Sequence, residues 1–71
     1  MEERTMTIIH NATERARAKH RCFPDSLSKR LAILGEEYGE LCAAYNDERW
    51  DQFRDELLDV AAVIVRMIEE K

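Results

Sequence analysis

The fold is decided by the stretch Leu27-Ser28-Lys29-Arg30-Leu31-Ala32-Ile33-Leu34-Gly35-Glu36-Glu37-Tyr38-Gly39-Glu40-Leu41-Cys42-Ala43-Ala44-Tyr45. At about 100° per residue, Leu27, Leu31, Leu34, Tyr38, Leu41, Cys42 and Tyr45 gather on one helical face. Asn46-Asp47-Glu48-Arg49 follows as a short polar connection. A second apolar stripe then runs from Trp50 to Glu70 through Phe53, Leu57, Val60, Ala61, Ile64, Met67 and Ile68. So short a connection makes the two helices antiparallel neighbours. Upstream, Thr5 to His20 predicts a helix with a thin apolar face of Ile8, Ile9, Ala12 and Ala16. Arg21 to Asp25 breaks it, because Pro24 lacks an N–H and biases Phe23 away from helix. Asp25 or Ser26 then caps the next helix.

Composition supports an all-α domain over residues 1–71. Two glycines and one proline are too few for a loop-rich or β-sandwich fold. A chain of 71 residues buries only about 60% of the surface it exposes when unfolded, so it needs a support. Two cysteines twenty residues apart make neither a disulfide framework nor a zinc site. Eleven Lys+Arg against fifteen Asp+Glu gives a net charge of −4, which argues against a grip on duplex nucleic acid. Basic residues concentrate early and acidic ones late, a distribution suited to a small anionic ligand. The longest apolar run, Val60 to Val65, is far short of a membrane span, and the N-terminus shows no apolar signal core. The expectation is a cytoplasmic protein with free thiols.

Two pairs of carboxylates intrude on apolar arcs. With Gly35 as origin, Glu37 falls near about 200° and Glu40 near about 140°, beside Ile33 and Ala44. With Glu56 as origin, Val63, Met67 and Val60 fall within about 40° of it, and Asp59 lies at the stripe's edge near about 300°. Each pair is spaced i, i+3, and the antiparallel hairpin faces one pair to the other. Four converging carboxylates repel one another unless a cation sits between them. An all-oxygen donor set suits magnesium, with manganese as substitute. A single ExxE is common on helix surfaces, where Arg30 or Lys29 would pair with it; two matched pairs carry more weight.

Glu36-Glu37-x-x-Glu40-Leu41 followed, fifteen residues on, by Glu56-x-x-Asp59-Val60 resembles the MazG-like all-α nucleoside triphosphate pyrophosphohydrolases, in particular short phage and bacterial members. The resemblance covers roughly residues 12 to 68. It implies hydrolysis of a nucleoside triphosphate between its α and β phosphates, giving the monophosphate and pyrophosphate. It also implies that Glu37, Glu40, Glu56 and Asp59 hold magnesium. Glu36 matches an extra acidic position, and Glu36 and Glu37 are the candidates to orient the attacking water or accept its proton. Many members carry a further helix whose Lys, Asn or Arg residues grip phosphate. Here the sequence runs only twelve residues past Asp59. The expectation is that the first helix or a neighbouring subunit supplies those cations, with Lys19, Lys29, Arg30 and Arg66 as candidates.

Tyr38 and Trp50 are candidates to stack on a base, with core packing as the plain alternative. Gly35 and Gly39, i, i+4 inside a helix, suggest close helix approach beside the carboxylates. His10 and His20 read as surface residues and Cys42 as a small buried apolar group. The arcs of both long helices, with Ile33, Ala44, Val65 and Leu58 counted, exceed half the circumference. A three-helix protomer cannot cover them, so a homodimer with a four-helix core is expected, and a tetramer is compatible. Beside the hydrolase stand two other classes: a catalytically silent binder of nucleotide or metal, and a structural helical interaction protein.

Overall fold

The computed structural model describes residues 1–70. Lys71, the last residue of the expected domain, lies outside them. The described residues form three helices and no strand: α1 (Glu3–Lys19), α2 (Leu27–Asn46) and α3 (Trp50–Glu69). No helix among them is long and apolar enough to cross a membrane.

Local chemistry sets the boundaries. Of the two expected caps, Ser26 is the one used: its Oγ accepts from the Lys29 N–H at 3.5 Å. At the other end of α2, the Asp47 N–H donates to the Ala43 carbonyl at 3.0 Å and the Arg49 N–H to the Ala44 carbonyl at 2.9 Å. Glu48 takes a left-handed φ of 56° between them and turns the chain back. In α1, Thr13 is 1% exposed, and its hydroxyl donates to the Ile9 carbonyl at 2.8 Å. The apolar stripe as read from the sequence does not include Thr13.

Helix α3 is the central element. It packs against α2 and against α1, while α1 and α2 make no direct packing contact. The radius of gyration, 12.4 Å, exceeds the ~11 Å of a fully compact chain of this length. The three buried apolar residues are alanines: Ala12, Ala44 and Ala62. Small side chains let the helices approach, but they remove little apolar area from water.

The antiparallel arrangement of α2 and α3 is borne out, and a register can be read from it. Glu37 meets Glu56 and Asp59. Seven residues back along α2 lies Arg30, and seven forward from Asp59 along α3 lies Arg66. Both guanidiniums sit on the ring of Phe23, at 4.8 and 4.5 Å from its centroid.

One expectation about packing holds and one is corrected. The apolar stripes are covered only in part within one protomer, as their width implies: Leu34, Leu41 and Cys42 of α2 are half-buried, while Leu27, Leu31, Tyr38 and Tyr45 are exposed, as are Trp50, Leu57, Ile64 and Ile68 of α3. The least exposed side of α2 also carries the polar Arg30 and Glu37, beside Ile33 and Ala44. The expectation for the glycines is the one corrected: Gly35 and Gly39 are not points of close approach, since a Cβ at each would meet nothing within 4 Å.

Candidate metal centre

Two helices build the acidic site. Glu37 comes from the α3-facing side of α2, and Glu56 and Asp59, one turn apart, from α3. One carboxylate oxygen of each lies within 4.8 Å of the others. Glu56 is only 8% exposed, and its Oε2 is buried with no hydrogen-bond partner; the same holds for Glu37 Oε2. Orphaned buried carboxylate oxygens are costly and call for a proton or a cation.

The electrostatics follow from that geometry. The Glu37 carboxyl is pushed up to about 7, first by burial and then by the charges of Glu40, Asp59, Glu56 and Glu36. Burial also raises Glu56, with Glu40 and Asp59 adding to it. Asp59 is raised by partial burial, then by Glu40 and Asp55, while Lys19 and Arg15 pull it back. Glu40 is exposed and outside the tight trio, yet its charge acts on all three members. The four carboxylates of the paired motif therefore share one patch. Glu36 is exposed, and its charge is the smallest of those that raise Glu37.

The donor set fits a hard divalent cation. An octahedral magnesium at about 2.1 Å places adjacent ligand oxygens about 3 Å apart and opposite ones about 4.2 Å apart. Oxygens within 4.8 Å of one another are on the scale of those spacings. With no sulfur or imidazole in the set, zinc and copper are poorly matched.

The four expected phosphate-gripping cations separate. Lys19, at the end of α1, is exposed and acts on Asp59. Lys29 is exposed in the first turn of α2. Arg30 and Arg66 are engaged elsewhere, about 10 Å along their helices from the carboxylates. Arg30, 7% exposed, donates to the Pro24 and Glu70 carbonyls. Arg66, 3% exposed, donates to the Glu70 carboxylate at 2.7 Å. Arg17 joins this end through Glu69 and Glu70. Neither Arg30 nor Lys29 pairs with Glu37, whose Oε2 has no partner.

Tyr38 and Trp50 are both more than half exposed. Tyr38 lines an open cavity of about 370 Å³ with Leu41, Cys42, Tyr45, Asn46 and Phe53. Trp50 packs edge-on against Tyr45, with ring centroids 5.7 Å apart. His10 and His20 are on the surface, as expected, and Cys42 is half-buried. Arg15 was not among the expected site residues. Its i, i+4 relation to Lys19 is visible in the sequence, but its position near Asp59 depends on how α1 lies on α3.

Comparison of the chain with models of known protein families, with curated proteins and with solved structures gives no match.

Proposed function

We propose that this protein is a magnesium-dependent nucleoside triphosphate pyrophosphohydrolase. The observation that carries the reading is Glu56, a buried carboxylate with an unpartnered oxygen, clustered with Glu37 and Asp59. Glu37, Glu40, Glu56 and Asp59 would hold magnesium, with manganese able to replace it. Such an ion supplies a Lewis acid for phosphate oxygens and makes water a better nucleophile near neutral pH. Glu36, exposed beside Glu37, and Glu37 itself would be the groups that orient the attacking water or accept its proton. Tyr38 and Trp50 offer aromatic surface to a base.

The working form is a homodimer or a dimer of dimers. Leu31, Tyr38, Leu57 and Ile64 leave one apolar face across α2 and α3 open to solvent, and a second copy applied there completes a four-helix core. A monomeric mass by light scattering at micromolar concentration would refute this part.

The activity is tested by offering common and modified nucleoside triphosphates with magnesium and identifying the products. Nucleoside monophosphate and pyrophosphate are expected, lost on Glu40→Gln or Asp59→Asn. Orthophosphate as product, or activity indifferent to both substitutions, would overturn the reading. Magnesium-dependent nucleotide binding without turnover would select the silent binder instead. Absence of any stabilisation by magnesium or manganese would select the structural interaction protein.

A further inference from the structure

Helix α3 is covered on its two flanks and open between them. Take Glu56, which meets Glu37 of α2, as the angular origin. Glu69, near about 220°, pairs with Arg17 of α1 at 2.6 Å. Between these flanks lie Ile64, Leu57 and Ile68, near about 80°, 100° and 120°, and all three are exposed. With no packing between α1 and α2, the protomer is a layer in the order α1–α3–α2, and an apolar ridge runs along the middle of one face.

A groove lies on each side of that ridge. One is the cavity of about 370 Å³ between α2 and α3, where Phe53, near about 60°, lines it with Tyr38, Leu41 and Tyr45. The other, of about 440 Å³, lies between α3 and α1, lined by Ala61 and Ile64 on one side and Met6, Ile9 and His10 on the other. Ile64 belongs both to the ridge and to the second groove. The apolar surface therefore passes without a break from α2 across α3 onto α1.

Charge and area indicate what covers it. The chain carries a net charge of −4, so two copies repel unless they meet through an uncharged surface. Apart from His10, the charged side chains lining the grooves are Arg17 and Glu69, which pair with each other. The acidic side of α3 points the other way, with Asp55 near about 260° and Asp59 near about 300°. Tyr38, Tyr45 and Trp50 are more than half exposed, beside the open Leu31, Leu57, Ile64 and Ile68. At about 150–250 Å² for a whole aromatic side chain and less for leucine, the open apolar area is roughly 800 Å², above the ~300–600 Å² of a monomer's largest patch and equal to one side of a standard interface. Within the protomer α1 buries only Ala12 and Thr13, a thin hold for a helix that depends on tertiary packing.

We infer that a second copy of the chain docks on the whole three-helix face, so that α1 lies inside the interface through the groove of Met6, Ile9 and His10. This rests on the reading of the protein as a homodimer and extends that interface beyond α2 and α3. Sedimentation equilibrium over a range of concentrations tests it with three single variants at positions exposed in the protomer, Leu57, Met6 and Ile8. Ile8 stands two residues from Met6 and so on the opposite side of α1. Leu57→Glu is expected to give a monomer, Met6→Glu to weaken the dimer at least tenfold, and Ile8→Glu to leave the dissociation constant within twofold of wild type. Circular dichroism checks that helix content is kept; if Met6→Glu loses it, Met6→Ala takes its place, with about a threefold weakening expected. A dimer broken by Leu57→Glu but indifferent to both substitutions at Met6 would overturn the inference and leave the α2–α3 dimer standing. Ile8→Glu as damaging as Met6→Glu, or Leu57→Glu without effect, would overturn it as well. A monomeric wild-type chain would overturn the dimer and this inference together, and leave the face to a different partner.

Discussion

The raised carboxyl of Glu37 makes the stability of the metal-free protein fall with pH in a window where most proteins are insensitive to it. The group moves from an ordinary 4.5 to about 7. Between those values the folded state holds a proton that the unfolded state has released, so stability falls as pH rises. The contribution is fully present below about 4.5 and lost above about 7. A tenfold change in proton affinity is worth about 1.4 kcal/mol, so the full shift corresponds to roughly 3 kcal/mol. Glu37 is only half-buried, and water and side-chain rearrangement reduce this to about 1–3 kcal/mol. Glu56 and Asp59 shift in the same direction, so the slope does not depend on Glu37 alone. Glu70 shifts the other way, held down by Arg66; its contribution is lost only as pH falls below its ordinary range, outside the window. At about 4–8 °C per kcal/mol for a domain of this size, the melting temperature in EDTA should drop by roughly 4–24 °C from pH 5 to pH 8. Circular dichroism melts at fixed protein concentration measure this. Glu37→Gln should reduce the slope, and magnesium should restore stability at pH 8. A flat wild-type profile in EDTA, or an undiminished slope in Glu37→Gln, would refute the reasoning.

Three further outcomes follow from the packing. Phe23→Ala removes the ring between two buried guanidiniums and should cost about 2–4 kcal/mol in urea unfolding, whereas Phe23→Leu keeps the apolar contact and should lose less. Ala44→Leu forces a larger side chain into a fully covered position of α2 and should cost about 1–3 kcal/mol, read as a lower urea midpoint at unchanged slope. Gly35→Ala and Gly39→Ala place a methyl in open space and should each raise stability by up to about 1 kcal/mol in the same assay. A loss of stability at either glycine would show that another surface packs there, and a shift in oligomer mass with the substitution would identify it as a second copy.

The carboxylates were legible because they obey a spacing rule. Glu37, Glu40, Glu56 and Asp59 sit at i, i+3 on helices joined by a three-residue connection, so the hairpin alone predicts that Glu37 meets Glu56 and Asp59 with Glu40 nearby. The helices were legible for similar reasons: Pro24 and Ser26 punctuate the start of α2, and Asn46 to Arg49 its end. The incomplete cover of the stripes was legible from their width, but which positions stay open was not: Leu31 and Leu57 are exposed while Leu34 and Leu41 are half-buried, and that depends on how each helix is rotated toward its neighbour. Arg30 and Arg66 were illegible for another reason. Nothing in their spacing marks them as buried, because the groups that accept their protons are the Pro24 and Glu70 carbonyls and the Glu70 carboxylate, and the surface that covers them is Phe23 from the α1–α2 connection.

The two ends of the α2–α3 seam explain one another. Seven residues separate Arg30 from Glu37 and Asp59 from Arg66, about 10 Å of helix, too far for the arginines to pair directly with the carboxylates. Phe23 stacking and the bonds to Glu70 fix the guanidiniums at the far end, where they tie α2, α3 and the connection together. Had Arg30 or Arg66 sat one or two turns closer, the acidic group would be an ordinary buried ion pair. Because they do not, Glu37 and Glu56 keep oxygens with no partner. With the buried guanidiniums committed to structure, the acidic end is left with a proton or an external cation to offset its charge, and on the proposed reading that cation is magnesium.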